Sequence, residues 1–233
     1  MEKQSVKSFY DSFVKNQANL GISIRHRIIF DNLKRIGLQR NSNVLEVGCG
    51  IGTVSKLIVD GIPEGQFLGC DISPKSIEYA NSFVNRSNAE FIVSNMSDFS
   101  SKLNFDFVVF PDVLEHIPEE EHLQMFKNIS KYLNADAKIL INIPEPNALA
   151  WVREHQPEKL QIIDQSLSMQ KLVNNMAEIG MTINKLNPYS IHCEVPNYLE
   201  IVFVKNPIVT NYKTTGKIKQ FIQNVKVKFF HVK

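Results

Sequence analysis

Cysteine is scarce in this chain of 233 residues, and its scarcity excludes some kinds of protein. Cys49, Cys70 and Cys193 form an odd, scattered set without a C-x-x-C pair. Such a set supports neither a disulfide framework nor a zinc site, and it is typical of a reducing compartment. We therefore expect a cytoplasmic protein without a metal site.

Long apolar runs are missing as well. None approaches the length of about 18 residues that a membrane span needs. The first residues, MEKQSVKSFYDSF, lack the apolar core of a signal peptide. Internal repeats and low-complexity tracts are also absent. The hydrophobic content of 43% is ordinary for a globular protein. We expect one α/β domain with a substantial core and small additions.

Net charge is small, at +2, but it is unevenly distributed. Seven lysines and no acidic residue follow Glu200. Because these lysines contribute +7 to a total of +2, the first 200 residues carry a net charge of −5. An acidic body of this kind disfavours a nucleic-acid partner.

The C-terminal tail, residues 211–233, holds most of these lysines around apolar residues at helical spacing. This pattern predicts a basic amphipathic helix, which can bind peripherally to an anionic membrane at its inner face. The same helix could instead pack on the domain or on a second copy in a homodimer. Alternation in the last residues, Val225–Val232, also allows a strand.

The stretch 43–55, NVLEVGCGIGTVS, has the pattern of a cofactor-binding turn. The apolar run Val44–Val47 predicts a strand interrupted by one carboxylate, Glu46, and three glycines then alternate over Gly48–Gly52 before a helical pattern. A strand, a glycine turn and a helix N-terminus let the backbone approach a ligand closely. A second apolar run ends in Asp71, an acid that suits a ribose diol.

The spacing and charge of this turn indicate the ligand. It reads G-x-G-x-G, whereas pyrophosphate binders have G-x-G-x-x-G. Glu46 would repel a pyrophosphate but attract an ammonium or a sulfonium, and S-adenosylmethionine (SAM) carries both cations, a ribose and no phosphate. The competing interpretation is a tight strand–helix turn that binds nothing.

Two segments carry a family resemblance: VLEVGCGIG and the downstream GCDISP resemble motifs I and II of the class I SAM-dependent methyltransferases. The resemblance implies SAM as the cofactor and S-adenosylhomocysteine (SAH) as its product. It implies cofactor contacts within these two motifs, at Glu46, Gly48, Cys49, Gly50, Asp71 and Ile72.

Strand and helix patterns alternate from residue 43 to about 143, as a doubly wound sheet requires. With the resemblance, we expect a Rossmann-like α/β fold: a seven-stranded sheet, parallel with an antiparallel last strand, and helices on both faces. The expected parts are a helical cap (1–42), a SAM-binding methyltransferase domain (43–210) with a substrate insertion at about 144–166, and the tail (211–233).

The resemblance extends past the third and fourth strands. Asn95 stands where the family commonly has an acid that accepts from the adenine amino group; its amide oxygen can accept too. Met96 would pack on the adenine face, and Pro111 would also contact the cofactor.

The segment FPDVLEHIP, residues 110–118, resembles the D-V-L-E-H-I stretch of small-molecule and quinone-type methyltransferases. Ligands bind at the carboxyl ends of such strands, so we expect this loop beside the transferred methyl group. His116 is the first candidate base, because its ordinary pKa lies near neutrality. The alternative is a structural histidine.

The predicted insertion breaks the strand–helix alternation, because Pro144, Pro146 and Pro157 prevent one continuous helix. Family members place acceptor-contacting residues there, which makes His155 the second candidate base and Trp151 and Arg153 candidate acceptor contacts; Trp151 could instead belong to the core. Further acceptor contacts are expected from Tyr10, Arg25 and Asp112, although Tyr10 and Arg25 also fit a solvated helix face.

These observations predict an enzyme that moves a methyl group from SAM to a hydroxyl of a small molecule or sugar, in envelope glycan or secondary metabolism. A phenolic or quinone-type O-methyltransferase and an N-methyltransferase remain alternatives. A non-catalytic SAM-binding partner subunit is the alternative of a different class.

Overall fold

The computed structural model describes residue 11, residue 14, residues 17–161 and 163–205, and residues 216, 217, 219 and 220. Tyr10 lies outside the described residues, as does nearly all of the tail, so the predictions made for them stay predictions. Six α-helices lie within the described part of the chain: α1 (Ile24–Arg35), α2 (Thr53–Gly61), α3 (Pro74–Val84), α4 (Glu119–Ser130), α5 (Pro146–His155) and α6 (Met169–Glu178).

Seven strands form one sheet: β1 (Val44–Val47), β2 (Phe67–Asp71), β3 (Ala89–Val93), β4 (Phe105–Pro111), β5 (Leu133–Pro144), β6 (Met181–Tyr189) and β7 (Tyr198–Lys205). Their order is β3-β2-β1-β4-β5-β7-β6. Neighbours pair in parallel from β3 to β5, whereas β7 is antiparallel to both β5 and β6. The predicted doubly wound sheet with an antiparallel seventh strand is therefore confirmed.

Helices pack on both faces of this sheet because its central strands are apolar on both sides. One face carries α1, α2 and α3, whose buried residues join Val44 and Leu140 in one core cluster. The other face carries α4 and α6, which pack against Phe110 and Ile141 in a second cluster. No helix among the described residues is long and apolar enough to cross a membrane.

The prolines of the insertion start helical segments there. Pro146 occupies the first turn of α5, where a missing N–H costs nothing, and the Glu145 carboxylate caps that turn by accepting from the Ala148 N–H at 2.8 Å. Pro157 opens a short 3₁₀ turn, Pro157–Lys159. The region is thus helical up to His155, and it then returns towards the sheet as an extended segment.

Candidate active site

The glycine turn after β1 brings the loop after β4 against it. Gly48 has φ +74°, and a Cβ placed there would lie 2.3 Å from a methyl carbon of Val113. Gly50 also lies in the left-handed region, with φ +51°, and the side chain of Gln17 is its nearest neighbour. The turn therefore needs glycine for its backbone and for the close approach of the post-β4 loop.

Asp71, at the end of β2, is bonded to the same turn. Its two carboxylate oxygens accept the N–H groups of Gly50 and Ser73, each at 2.9 Å. Burial raises the pKa of Asp71, and these two N–H donors lower it. From the N-terminal region, Asp11 accepts from the hydroxyl of Ser73 at 2.6 Å. This acid therefore holds the turn together, at the position expected for the ribose site.

Glu46 lies in β1 with only 1% of its surface exposed. One oxygen, Oε2, accepts from the Ser55 hydroxyl at 2.7 Å; Oε1 has no hydrogen-bond partner among the described residues. Burial raises the pKa of this carboxyl to about 8. An unpartnered buried carboxylate oxygen is energetically costly unless a ligand supplies a donor or a cation.

These features fit the group that the motifs imply. Glu46 offers an unpaired acceptor suited to an ammonium, the backbone at Gly50 has, of the described residues, only the Gln17 side chain within 4 Å of a Cβ placed there, and Asp71 presents a carboxylate at the end of β2. The two carboxylates would repel a dianionic phosphate. When bound, SAM would supply an electrophilic sulfonium methyl, and these residues would hold it.

The other predicted cofactor residues differ in which of their groups are accessible to a ligand. Cys49 points its side chain into the core, so its backbone is what remains for a ligand. Ile72 and Pro111 are half-buried at the carboxyl ends of β2 and β4. Asn95 is exposed but accepts from the N–H and hydroxyl of Ser97, at 3.0 and 2.6 Å.

Met96 has φ +63°, and its side chain lies in the core with 2% of its surface exposed. Its N–H donates to the Ser94 hydroxyl at 3.0 Å. The adenine contacts expected from Asn95 and Met96 stay predictions, since the polar groups of both already have partners within the loop.

A polar network occupies the edge of the sheet at which β4 and β5 end and β7 begins. The Nε of Arg25, from α1, lies 2.9 Å from Oδ2 of Asp112, and its NH1 donates to the Tyr198 hydroxyl at 2.9 Å. The amide of Asn142, wholly buried in β5, donates to Asp112 Oδ1 at 2.7 Å and accepts from the Tyr189 hydroxyl. Five separate parts of the chain thus converge on one site.

Charge is balanced within this network. Burial raises the pKa of Asp112, while Arg25 and the Asn142 amide lower it. Asp112 in turn holds the pKa of Arg25 above its ordinary value. The Arg25 side chain keeps 37% of its surface exposed, so its guanidinium can still meet a ligand.

His116 and Glu115 lie just beyond Asp112, in a 3₁₀ turn. The His116 ring is 9% exposed; its Nδ1 contacts the carbonyl oxygen of Ile163 and lies 3.2 Å from Asp164 Oδ1. Its Nε2 lies 3.8 Å from Glu115 Oε1. Burial lowers the pKa of His116 and raises that of Glu115 well above its ordinary value.

The segment of residues 163–168, at the end of the predicted insertion, covers this pair; we call it the strap. The Gln165 N–H donates to the Glu115 carbonyl at 2.9 Å. Arg153, on α5, donates to the Asp164 carbonyl at 2.6 Å and to the Ser166 hydroxyl at 3.2 Å. Arg153, expected as an acceptor contact, thus holds the strap.

His155 lies elsewhere. Its ring is exposed at the end of α5, stacks on Trp151 with 4.5 Å between ring centroids, and contacts the Trp151 carbonyl through Nδ1 at 2.9 Å. Trp151 is 51% exposed, so the alternative of a core tryptophan is wrong. The structure therefore brings His116, Arg25 and Asp112 into one region and gives His155 a surface position.

Four residues of the site were not among the sequence candidates: Asn142, Asp164, Tyr189 and Tyr198. Glu115 had a usable signal, since it adjoins His116 in the sequence and is close enough to orient it. The others are polar residues in a strand or a loop, and only the pairing of β5 with β7 and the fold of the strap bring them to the site.

Known proteins agree with this architecture. Residues 44–136 match the family model described as "Methyltransferase domain". Magnesium protoporphyrin IX methyltransferase from Synechocystis PCC 6803, solved with bound SAH, superposes with a TM-score of 0.69 at 17% identity and covers 88% of this chain and 100% of that one. The fold is that of the class I SAM-dependent methyltransferases, and residues 44–136 match the model of a methyltransferase domain.

Curated relatives match more locally. Malonyl-[acyl-carrier protein] O-methyltransferase of Acetivibrio thermocellus is 30% identical over 100 residues, 43% of this chain and 33% of that protein. Trans-aconitate 2-methyltransferase of Escherichia coli is 23% identical over 121 residues, 52% of this chain and 46% of that protein. The chain thus covers less than half the length of these relatives.

Proposed function

We propose that this chain is a SAM-dependent methyltransferase that methylates a hydroxyl of a small molecule or sugar. The unpartnered Oε1 of buried Glu46, beneath the glycine turn, is the observation that carries the proposal. In this assignment Glu46 receives the amino-acid end of the cofactor, Gly48 and Gly50 allow its close approach, and Asp71 binds its ribose.

The acceptor binds at the carboxyl edge of β4 and β5 in this proposal. Val113 touches the glycine turn, so the loop that carries Asp112 and His116 adjoins the cofactor site. Arg25 and Tyr198 line the same edge with hydrogen-bonding groups. A polar acceptor would be oriented there, and methyl transfer depends mainly on such positioning.

A hydroxyl acceptor must also lose its proton, and His116 is the base that we assign. It lies in the post-β4 loop, whereas His155 stacks on Trp151 at the surface. A phenol or a quinone-type hydroxyl would be served by the same base; an amine acceptor needs less help, because it can release its proton to water after transfer.

A carboxylate-bearing acceptor is the second candidate. Arg25 supports it, since a partly exposed guanidinium binds carboxylates well. The names of two curated relatives, which cite malonyl and trans-aconitate acceptors, point the same way. Methylation of a carboxylate oxygen requires no base.

The cofactor assignment is tested by calorimetric titration with SAH. Parent protein is expected to bind, and Asp71→Ala should bind about 1–3 kcal/mol more weakly because the ribose hydroxyls lose an acceptor. Glu78→Ala, an exposed change on α3, is the matched control and should bind as the parent does. An Asp71→Ala variant with parental affinity would contradict the assignment of the ribose site.

Turnover is tested by a screen with methyl-labelled SAM. The acceptor panel contains sugars, phenols, a quinol, amines, malonate and trans-aconitate, and incorporated label identifies the class. Label on a sugar or other hydroxyl supports the proposal, and label on a carboxylate or an amine replaces it with that class. SAH binding without turnover on any member of the panel would favour the non-catalytic partner subunit.

Location and assembly are further proposals from the sequence. The acid-free lysines after residue 213 suggest a cytoplasmic protein whose tail meets an anionic membrane or a second copy of the chain. Co-sedimentation with anionic vesicles and light scattering, with and without residues 213–233, distinguish the two.

A further inference from the structure

Glu115 is a buried acid next to the methyl-transfer site, and the proposed function has so far given it no role. Its carboxyl is 1% exposed. Oε1 lies 3.8 Å from His116 Nε2, and Oε2 has no hydrogen-bond partner within the described part of the chain. A buried carboxyl with one oxygen unpartnered is destabilising, so its retention calls for a functional explanation.

Groups of the acceptor edge and of the strap both act on Glu115. Asp112 and Arg25, at the acceptor edge, interact with it electrostatically. Tyr198, at the same edge, is close enough that Glu115 raises its pKa. His116 lies 3.8 Å from its Oε1, and Asp164, on the strap, also interacts with it electrostatically.

The orientation of His116 is determined by the strap. Its Nδ1 faces the carbonyl oxygen of Ile163, which can only accept, and Asp164 Oδ1 at 3.2 Å. In the neutral ring Nδ1 therefore carries the proton, and Nε2, on the side of Glu115, has the lone pair. Asp164 would also stabilise the imidazolium that forms when Nε2 is protonated.

We propose that Glu115 is a carboxylic-acid relay that passes the proton of the acceptor hydroxyl to His116, and that Asp164 is the positioning residue for His116. This inference rests on the proposed function and deepens it. In this relay Glu115 contacts the acceptor, and His116 holds the proton at the end of the step.

The step balances without another reactant. As the acceptor oxygen forms its bond to the methyl carbon, the carbon–sulfur bond breaks and its electron pair stays on the sulfur of SAH. The hydroxyl proton passes to Oε2 of Glu115, while the proton on Oε1 passes to His116 Nε2. The 3.8 Å separation must close by about 1 Å for this transfer, as contacts of catalytic groups often do when substrate binds.

Electrostatics favour the required protonation states. Burial raises the pKa of Glu115 well above its ordinary value and lowers that of His116, which favours the protonated carboxyl and the neutral ring. Asp112 and Asp164 raise the pKa of Glu115 further, and Arg25 lowers it. The relay uses this arrangement, with one transferable proton on the acid at the start.

A histidine titration followed by nuclear magnetic resonance tests the pair without an acceptor. The full chain, labelled with ¹⁵N-histidine and saturated with SAH, is titrated, and His116→Gln assigns the resonance. Parent protein should show the Nδ1–H tautomer and two inflections for His116, the upper one from ionisation of Glu115. Glu115→Gln should remove the upper inflection, and Asp164→Asn should move the lower one down by roughly one pH unit.

The matched control is Asp136→Asn, an exposed change on β5 that should leave both inflections in place. A single inflection in the parent, or an upper inflection that persists in Glu115→Gln, would overturn the proposal. The Glu115→Gln side chain keeps the shape of the acid, and SAH affinity equal to that of the parent shows that the variant is folded.

Turnover with the acceptor found in the screen provides the second test. Glu115→Gln and His116→Gln should each lower kcat about a hundredfold or more, and the double variant should lose no more than either single one, because the two residues act as one unit. Asp164→Asn should lower kcat and shift the pH–rate limb to lower pH, with partial rescue in Asp164→Glu. Parental kcat in Glu115→Gln would refute the relay.

Different results would contradict the proposed function and the Glu115 relay. Absence of SAH binding would remove the proposed function altogether. Methylation of a carboxylate with parental rate in Glu115→Gln would leave the methyltransferase intact and remove only the relay, because such an acceptor has no proton to lose.

Discussion

The proposed cofactor side and the proposed acceptor side of this site are built in opposite ways. Asp71 and the Gly50 N–H that it binds are 21 residues apart, within one strand–turn–helix–strand unit. Arg25 and the Tyr198 hydroxyl that it binds are 173 residues apart. Local chain geometry thus forms the cofactor side, whereas packing between distant elements forms the acceptor side.

The contact between the two sides is the most sensitive point. Gly48→Ala should lower the free energy of unfolding by about 3 kcal/mol, since it combines left-handed backbone strain with a clash against Val113. Urea denaturation measures the effect. Val113→Ala in the same chain should recover part of the loss by removing the clashing methyl groups.

Gly180→Ala is the matched control, because Gly180 has φ +72° but nothing lies within 4 Å of a Cβ placed there. This variant should cost only the strain, about 1 kcal/mol. Equal losses at the two positions would show that contact between the cofactor turn and the post-β4 loop adds no stability.

The next largest effect is expected from the protonation of Glu46, on the cofactor side. Its folded pKa, about 8, lies above its ordinary 4.5, so its stabilising contribution is complete below pH 4.5 and is lost as pH rises through 8. A bound ammonium favours the ionised form, so SAH binding at pH 7 should release close to one proton. Calorimetry in buffers of different ionisation enthalpy counts it.

Glu46→Gln removes the titrating group and should abolish this proton release. Over the range from pH 6 to 8, SAH affinity of the parent should rise by up to about tenfold per pH unit. Glu115→Gln is the acceptor-side counterpart and should leave the release unchanged. Proton release that persists in Glu46→Gln would show that another group receives the ammonium.

The smallest effect is expected at the strap, on the acceptor side. Arg153→Ala removes donors to Asp164 and Ser166 at an exposed position and should cost about 1 kcal/mol of local stability. The Gln165 amide, bonded to the Glu115 carbonyl, should then exchange its hydrogen faster. Lys159→Ala, an exposed change nearby, should not alter that exchange rate.

Much of the fold could be predicted from the sequence because its signals are local. The apolar run before Gly48 and the proline at the first turn of α3 each indicate an element whose neighbours are near in the chain. Strand boundaries were less predictable: the sequence predicts the fifth strand over Lys138–Ile143, whereas β5 begins five residues earlier, at Leu133, because pairing with β4 extends it across an irregularity.

The acceptor side shows the limit of this approach. Arg153 was expected to contact the acceptor and His155 to be the second candidate base, since both lie in the predicted insertion. Arg153 instead binds the strap, and His155 stacks on Trp151. Which way a side chain points on a short helix depends on what packs beside it, and composition alone does not contain that information.

By itself the sequence determined the glycine turn, the acids Glu46 and Asp71 and the alternation of strands and helices, because each depends on backbone conformation or on residues within one supersecondary unit. Only the tertiary structure decided that Arg25 meets Asp112, that Asn142 is buried between them and Tyr189, and that Asp164 reaches His116. The physical reason is distance along the chain: these contacts exist only after the sheet has closed and the strap has packed across the loop after β4.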